Sequence, residues 1–138
     1  MNDYQILSAV NPARKRYAKA LQDYEEAKTA AHSISSNLHE VYVQGSHNPH
    51  RKEQAIAAMI DAEARAAACL SKYIDAEKAA WAVLFRLDDT ADMAILCNRF
   101  LHEKTWEETA IELGQSIRNC QNRYKKAVER LKQEKTKQ

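Results

Sequence analysis

Glycine and proline are scarce, with two of each in 138 residues. Chains built from hairpins and tight turns need far more of both, because those residues supply the backbone angles that turns require. Many short strands are therefore excluded, and few connections are expected. Aromatic residues are also few: two Phe, two Trp and six Tyr. Much of the remaining apolar content is alanine, which suits close helix packing better than a thick globular interior. Cys69, Cys97 and Cys120 are odd in number and widely spaced, with no CxxC pair. That excludes a zinc ribbon and a disulfide framework. Each lies among apolar residues of an expected helix and reads as a buried thiol. No apolar run has signal-peptide or membrane-spanning length, so the expected setting is a reducing cytoplasm with no membrane contact. Enzyme signatures are missing as well. There is no Gly-rich phosphate loop, no serine elbow and no His-carboxylate cluster at metal-binding spacing. No catalytic residue, metal site or cofactor is expected. His47 and His50 form an HxxH in a loop without carboxylate or thiol companions, and His32, His39 and His102 are scattered on helices.

The net charge of +2 conceals an asymmetry. From Gly114 to Gln138 eight basic residues face only Glu129 and Glu134, a net +6, while the rest of the chain carries −4. A basic end on an otherwise acidic chain points to a nucleic-acid surface, although a solvated basic tail has the same composition.

Residues 1–10 read as one or two helical turns. Asn11-Pro12 reads as a helix start, since Asn caps and Pro at the first position forfeits no needed hydrogen bond. Tyr17, Leu21, Tyr24, Ala27, Ala31, Ile34 and Leu38 follow at helical spacing, to about residue 40. Val41 to His50 breaks the pattern with Gly45 and Asn48-Pro49 and is expected to be the one long connection. A second helix is expected from Pro49 or His50 to Leu87, roughly 55 Å long. Ile56, Ile60, Glu63, Ala67, Leu70, Ile74, Glu77, Trp81 and Leu84 alternate steps of four and three, the spacing of a coiled-coil seam. Glu63 and Glu77 fall on that seam, where polar residues more often fix register or lie partly exposed than bind a metal or a basic partner. So long a rod requires the first helix to pack back along it as an antiparallel hairpin.

After Leu87 the pattern shortens. Asp88 and Asp89 can cap a third helix carrying Met93, Leu96, Cys97, Phe100 and Leu101 on one face. Thr105-Trp106-Glu107-Glu108 reads as a capping box, with Glu108 reaching back to the Thr105 amide. It opens a short fourth helix with Trp106, Ala110, Ile111 and Leu113 inward. Gly114 suits the left-handed residue that ends it. Ser116 caps a fifth helix with Ile117, Cys120, Tyr124, Ala127, Val128 and Leu131 inward. A short helix, a Gly turn and a longer capped helix make the helix-turn-helix order. The expected DNA-binding set is Ser116, Arg118, Asn119, Gln121, Asn122, Arg123, Lys125, Lys126 and Arg130. Asn and Gln can pair bidentately with adenine, and Lys and Arg hold phosphates or guanine edges. Gln121 and Asn122 are the expected base readers, followed by Arg118 and Asn119. Lys125, Lys126 and Arg130 are the expected phosphate contacts.

Thr105 to Leu131, TWEETAIELGQSIRNCQNRYKKAVERL, resembles region 4 of bacterial sigma factors. The shared pattern is a capping Ser or Thr, an aromatic, two acids, a small residue, Leu-Gly, Ser, and a helix ending in an Ala and Leu stripe. Arg99-Phe100 resembles the Arg-Tyr before it. This chain departs from the pattern at Glu103-Lys104, where a turn glycine is usual, and at Cys120, where Val is common. Nothing resembles the sigma region that melts promoter DNA. The layout of hairpin plus region-4-like domain is similar to phage-encoded regulators of the ArpU and RinA type. That resemblance implies control of phage late or packaging genes in Gram-positive hosts. The expected fold is all-α: a helical hairpin over residues 1–87, which would mediate homodimerisation, and a three-helix helix-turn-helix domain over residues 88–138. The expected partner is double-stranded DNA. The alternative is a protein-interaction module that docks RNA polymerase or a host factor.

Overall fold

A computed structural model describes residues 1–36 and 49–133. These residues form α1 (Asp3–Ser8), α2 (Val10–Ser36), α3 (Pro49–Phe85), α4 (Thr90–Phe100), α5 (Trp106–Leu113) and α6 (Ile117–Gln133). No strand occurs among the described residues, and the all-α expectation holds. The expected loop, with Gly45 and His47, lies outside the described residues except for Pro49 and His50, which open α3. No described helix is long and apolar enough to cross a membrane. No group of three or more metal-binding side chains occurs among the described residues.

The helix starts follow local chemistry. Asn2 caps α1 by accepting from the Gln5 amide at 2.8 Å, and Gln5 Oε1 accepts from the Asn2 amide at 2.9 Å. Two of the four unpaired amides at a helix start are satisfied in this way.

The chain divides into two compact units, residues 1–13 with 73–138, and residues 14–72. The expected boundary at 87/88 falls inside the first unit. The reason is a shared core. Leu7 and Val10 from the chain start, and Ala80, Val83 and Leu84 from the end of α3, bury together with Leu96, Cys97, Phe100, Leu101, Ala127 and Leu131. Tyr4 meets Phe100 edge-on at 5.8 Å, Lys132 lies over the Tyr4 ring at 4.5 Å, and Arg86 donates to Asp3 at 3.0 Å. Residues 1–13 thus belong with the end of α3, α4 and α6.

In the second unit, Ala20 and Ala31 of α2 and Ala62 and Ala66 of α3 are buried. Segments of α2 and α3 line one open groove, with Ala20, Ala68 and Cys69 beside Lys15, Arg16, Lys19, Asp23 and Arg65. The heptad spacing of α3 is present, but the covered stripe lies one residue earlier than expected. Residues 55, 59, 62, 66, 69, 73, 76, 80 and 83 are buried or half-buried. On the expected stripe Ile56, Glu63, Ala67 and Ile74 are exposed and Ile60 is 55% exposed, whereas Leu70, Glu77 and Trp81 are half-buried and Leu84 is fully buried. Both stripes keep the alternation of four and three; small side chains allow the closer approach, and alanines line the covered one. Leu21 of α2 is likewise exposed, while Ala20 beside it is buried. Glu77 accepts from the Trp81 indole N–H at 3.5 Å, whereas Glu63 is exposed.

Candidate nucleic-acid interface

Three local devices position α6. The first is the start of α4. Asp89 accepts from the Ala91 and Asp92 amides at 2.9 and 3.2 Å. The second is the turn between α4 and α5. The Leu101 and His102 amides donate to the Cys97 carbonyl, and the Lys104 amide donates to the Asn98 carbonyl. Glu103 sits here at φ 50°. A left-handed backbone costs a non-glycine residue roughly 1–2 kcal/mol. Thr105 then caps α5, accepting from the Glu108 amide at 3.1 Å and donating to Glu108 Oε1 at 3.2 Å. The box closes through this hydroxyl and not through the expected bond to the Thr105 amide.

The third device joins α5 to α6. Gly114 has φ 64°, and the Gln115 amide donates back to the Ala110 carbonyl at 3.1 Å. This left-handed closure satisfies carbonyls at the helix end. Ser116 then accepts from the Asn119 amide at 3.1 Å and starts α6.

The packed side of α6 is Cys120, Ala127 and Leu131, all buried, with Tyr124 and Val128 half-buried. Cys120 joins Ile95 and Ala110 in a small second core, with Trp106, Leu113 and Tyr124 against it. Tyr124 stacks on Phe100 at 5.9 Å and meets Trp106 edge-on at 5.4 Å. Burial pushes the Tyr124 hydroxyl and the Cys97 thiol above their ordinary pKa values. Two expected inward residues are corrected. Ile111 is 83% exposed, because the inward stripe of α5 runs through Trp106, Thr109, Ala110 and Leu113, and Thr109 is fully buried. Ile117, at the first position of α6, is also exposed. Sequence reasoning missed Ile95, Asn98, Thr109 and Asp92, which are all buried. Helical spacing through Trp106 could have found Thr109. Asn98 could not have been found that way, because its role is a long-range bond to Glu112 at 2.7 Å.

The nine expected DNA-binding residues fall into two rows plus the cap. Arg118, Gln121, Asn122 and Lys125 are exposed and lie at spacings of three, one and three, on one outward strip of α6. Asn119, Arg123, Lys126 and Arg130 line a cleft of about 350 Å³ together with Asn122, Asp89 and Asp92. Asn119 donates to Gln115 Oε1 at 3.0 Å, which engages one of its side-chain donors. Arg123 is half-buried and pairs with Asp89 at 3.3 Å and Asp92 at 3.5 Å. Arg130 reaches the other Asp92 oxygen at 3.8 Å.

The Asp92 and Ala91 amides, assisted by Arg123, hold the Asp89 carboxyl below its ordinary pKa. The Asn98 amide, then Lys104, does the same for Glu112. A depressed carboxyl pKa stabilises the folded state above the unfolded value, and that contribution is lost as pH falls through the folded one. Acid lability is therefore expected below about pH 4. Asp89→Asn keeps a capping side chain without the titration. Its urea midpoint is expected to fall less steeply than that of the native protein between about pH 5 and pH 2. Parallel curves for the two proteins would remove Asp89 from this role.

Compared with protein-family models, curated proteins and solved structures, the chain matches none.

Proposed function

We propose that the chain is a sequence-specific regulator of transcription that binds duplex DNA, with α6 entering the major groove. The observation that carries this reading is the outward strip Arg118, Gln121, Asn122 and Lys125 on a helix whose opposite side is anchored by buried Cys120, Ala127 and Leu131. A reading helix needs both properties: side chains that match base edges, and a rigid mount that fixes their direction. In this reading α4, α5 and α6 form a region-4-like helix-turn-helix, and α2 and α3 form the hairpin of a homodimer. The resemblance to phage late-gene regulators belongs to the same proposal.

The outward strip sorts by chemistry. Gln121 and Asn122 read bases, Arg118 reads guanine or holds phosphate, and Lys125 holds phosphate. Lys126 adds a further cation beside the cleft. The Ser116 end of α6 offers backbone amides to a phosphate.

Selection of bound sites from random duplex DNA with the purified protein tests the reading. One recurrent motif is expected, and repeated half-sites if the protein binds as a dimer. Affinity is expected to fall with salt, with a log–log slope of about −0.9 for each phosphate neutralised. Absence of any enriched sequence, or binding indifferent to salt, would exclude the proposal.

A second reading has its own support. Ile111 is 83% exposed, and Glu107, Glu108 and Glu112 beside it on α5 are exposed too. Carboxylates repel the DNA backbone, and an exposed isoleucine suits a protein surface. This face of α5 fits docking to a protein such as RNA polymerase. The two roles are compatible in an activator.

A further inference from the structure

Asp92 is the most buried carboxylate of the first unit that bears directly on α6. Its side chain is 9% exposed, and it stands in the first turn of α4. One oxygen accepts from Arg123 at 3.5 Å, and the other lies 3.8 Å from Arg130. Asp89, one turn earlier, takes the same Arg123 nitrogen at 3.3 Å. Two carboxylates thus stand against two of the six cations on α6, Arg118, Arg123, Lys125, Lys126, Arg130 and Lys132. A buried carboxylate must be paired, because desolvation of an isolated charge is prohibitive. The pairing also joins residues 31 positions apart, so it ties α6 to α4 along its length.

We propose that Asp92 is a positioning residue and internal counter-ion that withholds Arg130 and, together with Asp89, Arg123 from DNA phosphates, so that binding depends on the outward strip and not on bulk charge. This inference rests on the DNA-binding reading above and goes beyond it. The reasoning is electrostatic. A cation held on a carboxylate neutralises no phosphate and so releases none of the counterions condensed on DNA. Sequence-independent affinity scales with the number of phosphates neutralised, whereas discrimination depends on base contacts. A regulator that silences part of its own positive charge therefore lowers its affinity for every non-cognate site, while Gln121 and Asn122 remain available to the cognate one. The same pairs add to the buried Cys120, Ala127 and Leu131 in holding α6 against α4.

Asp92→Asn keeps the side-chain volume and removes the charge. Binding is measured from low to high salt, on the selected site and on unrelated duplex of equal length. Arg130 loses its carboxylate while Arg123 keeps Asp89, so the log–log salt slope is expected to steepen by up to about 0.9, one phosphate's worth. Affinity for unrelated DNA is expected to rise at low salt, and the ratio of specific to non-specific affinity to fall. A purely structural role predicts something else: weaker binding to both duplexes in step with a lower melting temperature, at an unchanged slope. That result would overturn the inference.

Arg130→Gln supplies an arm that does not depend on Asp92→Asn folding. In the native background it is expected to leave the salt slope unchanged, because Arg130 faces Asp92 and not a phosphate. A slope shallower by about 0.9 would show Arg130 on a phosphate and would sink the idea. In the Asp92→Asn background the same substitution is expected to take back the added slope. The native protein is measured first. Its failure to bind any duplex would defeat the DNA-binding reading itself, whereas binding with these slopes unaltered would defeat only the counter-ion role.

Discussion

A fragment of residues 88–138 is expected to be largely unfolded, although the sequence outlines it as a complete three-helix domain. Its core residues Leu96, Phe100, Leu101, Ala127 and Leu131 bury against Leu7, Val10, Ala80, Val83 and Leu84, which the fragment lacks. Leu7 and Leu84 are fully buried, and Val10 and Val83 almost so. Full burial of such a side chain is worth about 1.5–3 kcal/mol. Four of them together approach the whole net stability of an ordinary domain, about 5–15 kcal/mol. The fragment would also lose the ring contact of Tyr4 with Phe100 and the cation contact of Lys132 with Tyr4. Circular dichroism and urea titration of the fragment beside the full chain check this. Cooperative unfolding of the fragment at a midpoint near that of the full chain would show that residues 1–13 and 73–87 are dispensable.

Gln121→Ala and Asn122→Ala carry the second large effect. Both residues are exposed and away from the core, so neither change is expected to move the melting temperature. On the proposed reading each removes a bidentate base contact, at about 1–3 kcal/mol of discrimination. That corresponds to roughly 5- to 150-fold in relative affinity for the selected site. Binding to unrelated duplex should hardly change. Lys125→Ala is the contrast. It should weaken all duplexes alike and make the salt slope shallower by about 1. Site selection repeated with Asn122→Ala should show relaxed preference at one position per half-site. Identical profiles for the Gln121, Asn122 and Lys125 variants would abolish the division into readers and phosphate contacts.

The two expectations that failed most plainly share a cause. Ile56, Ile60 and Ile74 look like a seam because they are large and apolar at heptad spacing, yet they are exposed. The adjacent stripe, with buried Ala62, Ala66 and Ala80, obeys the same spacing. Periodicity gives the angle of a stripe only to within about one residue, and hydrophobicity favours the larger side chain. Close helix contact favours the smaller one. Ile111 repeats the lesson on α5, where the smaller Thr109 and Ala110 take the inward places, and the buried Thr109 hydroxyl is satisfied by donating to the Thr105 carbonyl at 3.0 Å.

What the chain determines by itself is where helices begin and end. Asp89, Thr105, Ser116 and Gly114 act on backbone groups within a few residues, and each is found doing so. Asn11 is the exception, because α2 already begins at Val10 and the buried Asn11 Oδ1 accepts no hydrogen bond. The outward strip of α6 is legible for the same reason, since a 17-residue helix with three buried residues on one side fixes its opposite side. Only the tertiary structure decided that residues 1–13 complete the core around α6, that the alanine stripe of α3 is the covered one, and that Asp92 faces Arg123 and Arg130. Those depend on contacts between positions tens of residues apart. Local propensity is blind to them, because the energy of burial and of ion pairing exists only once both partners are in place.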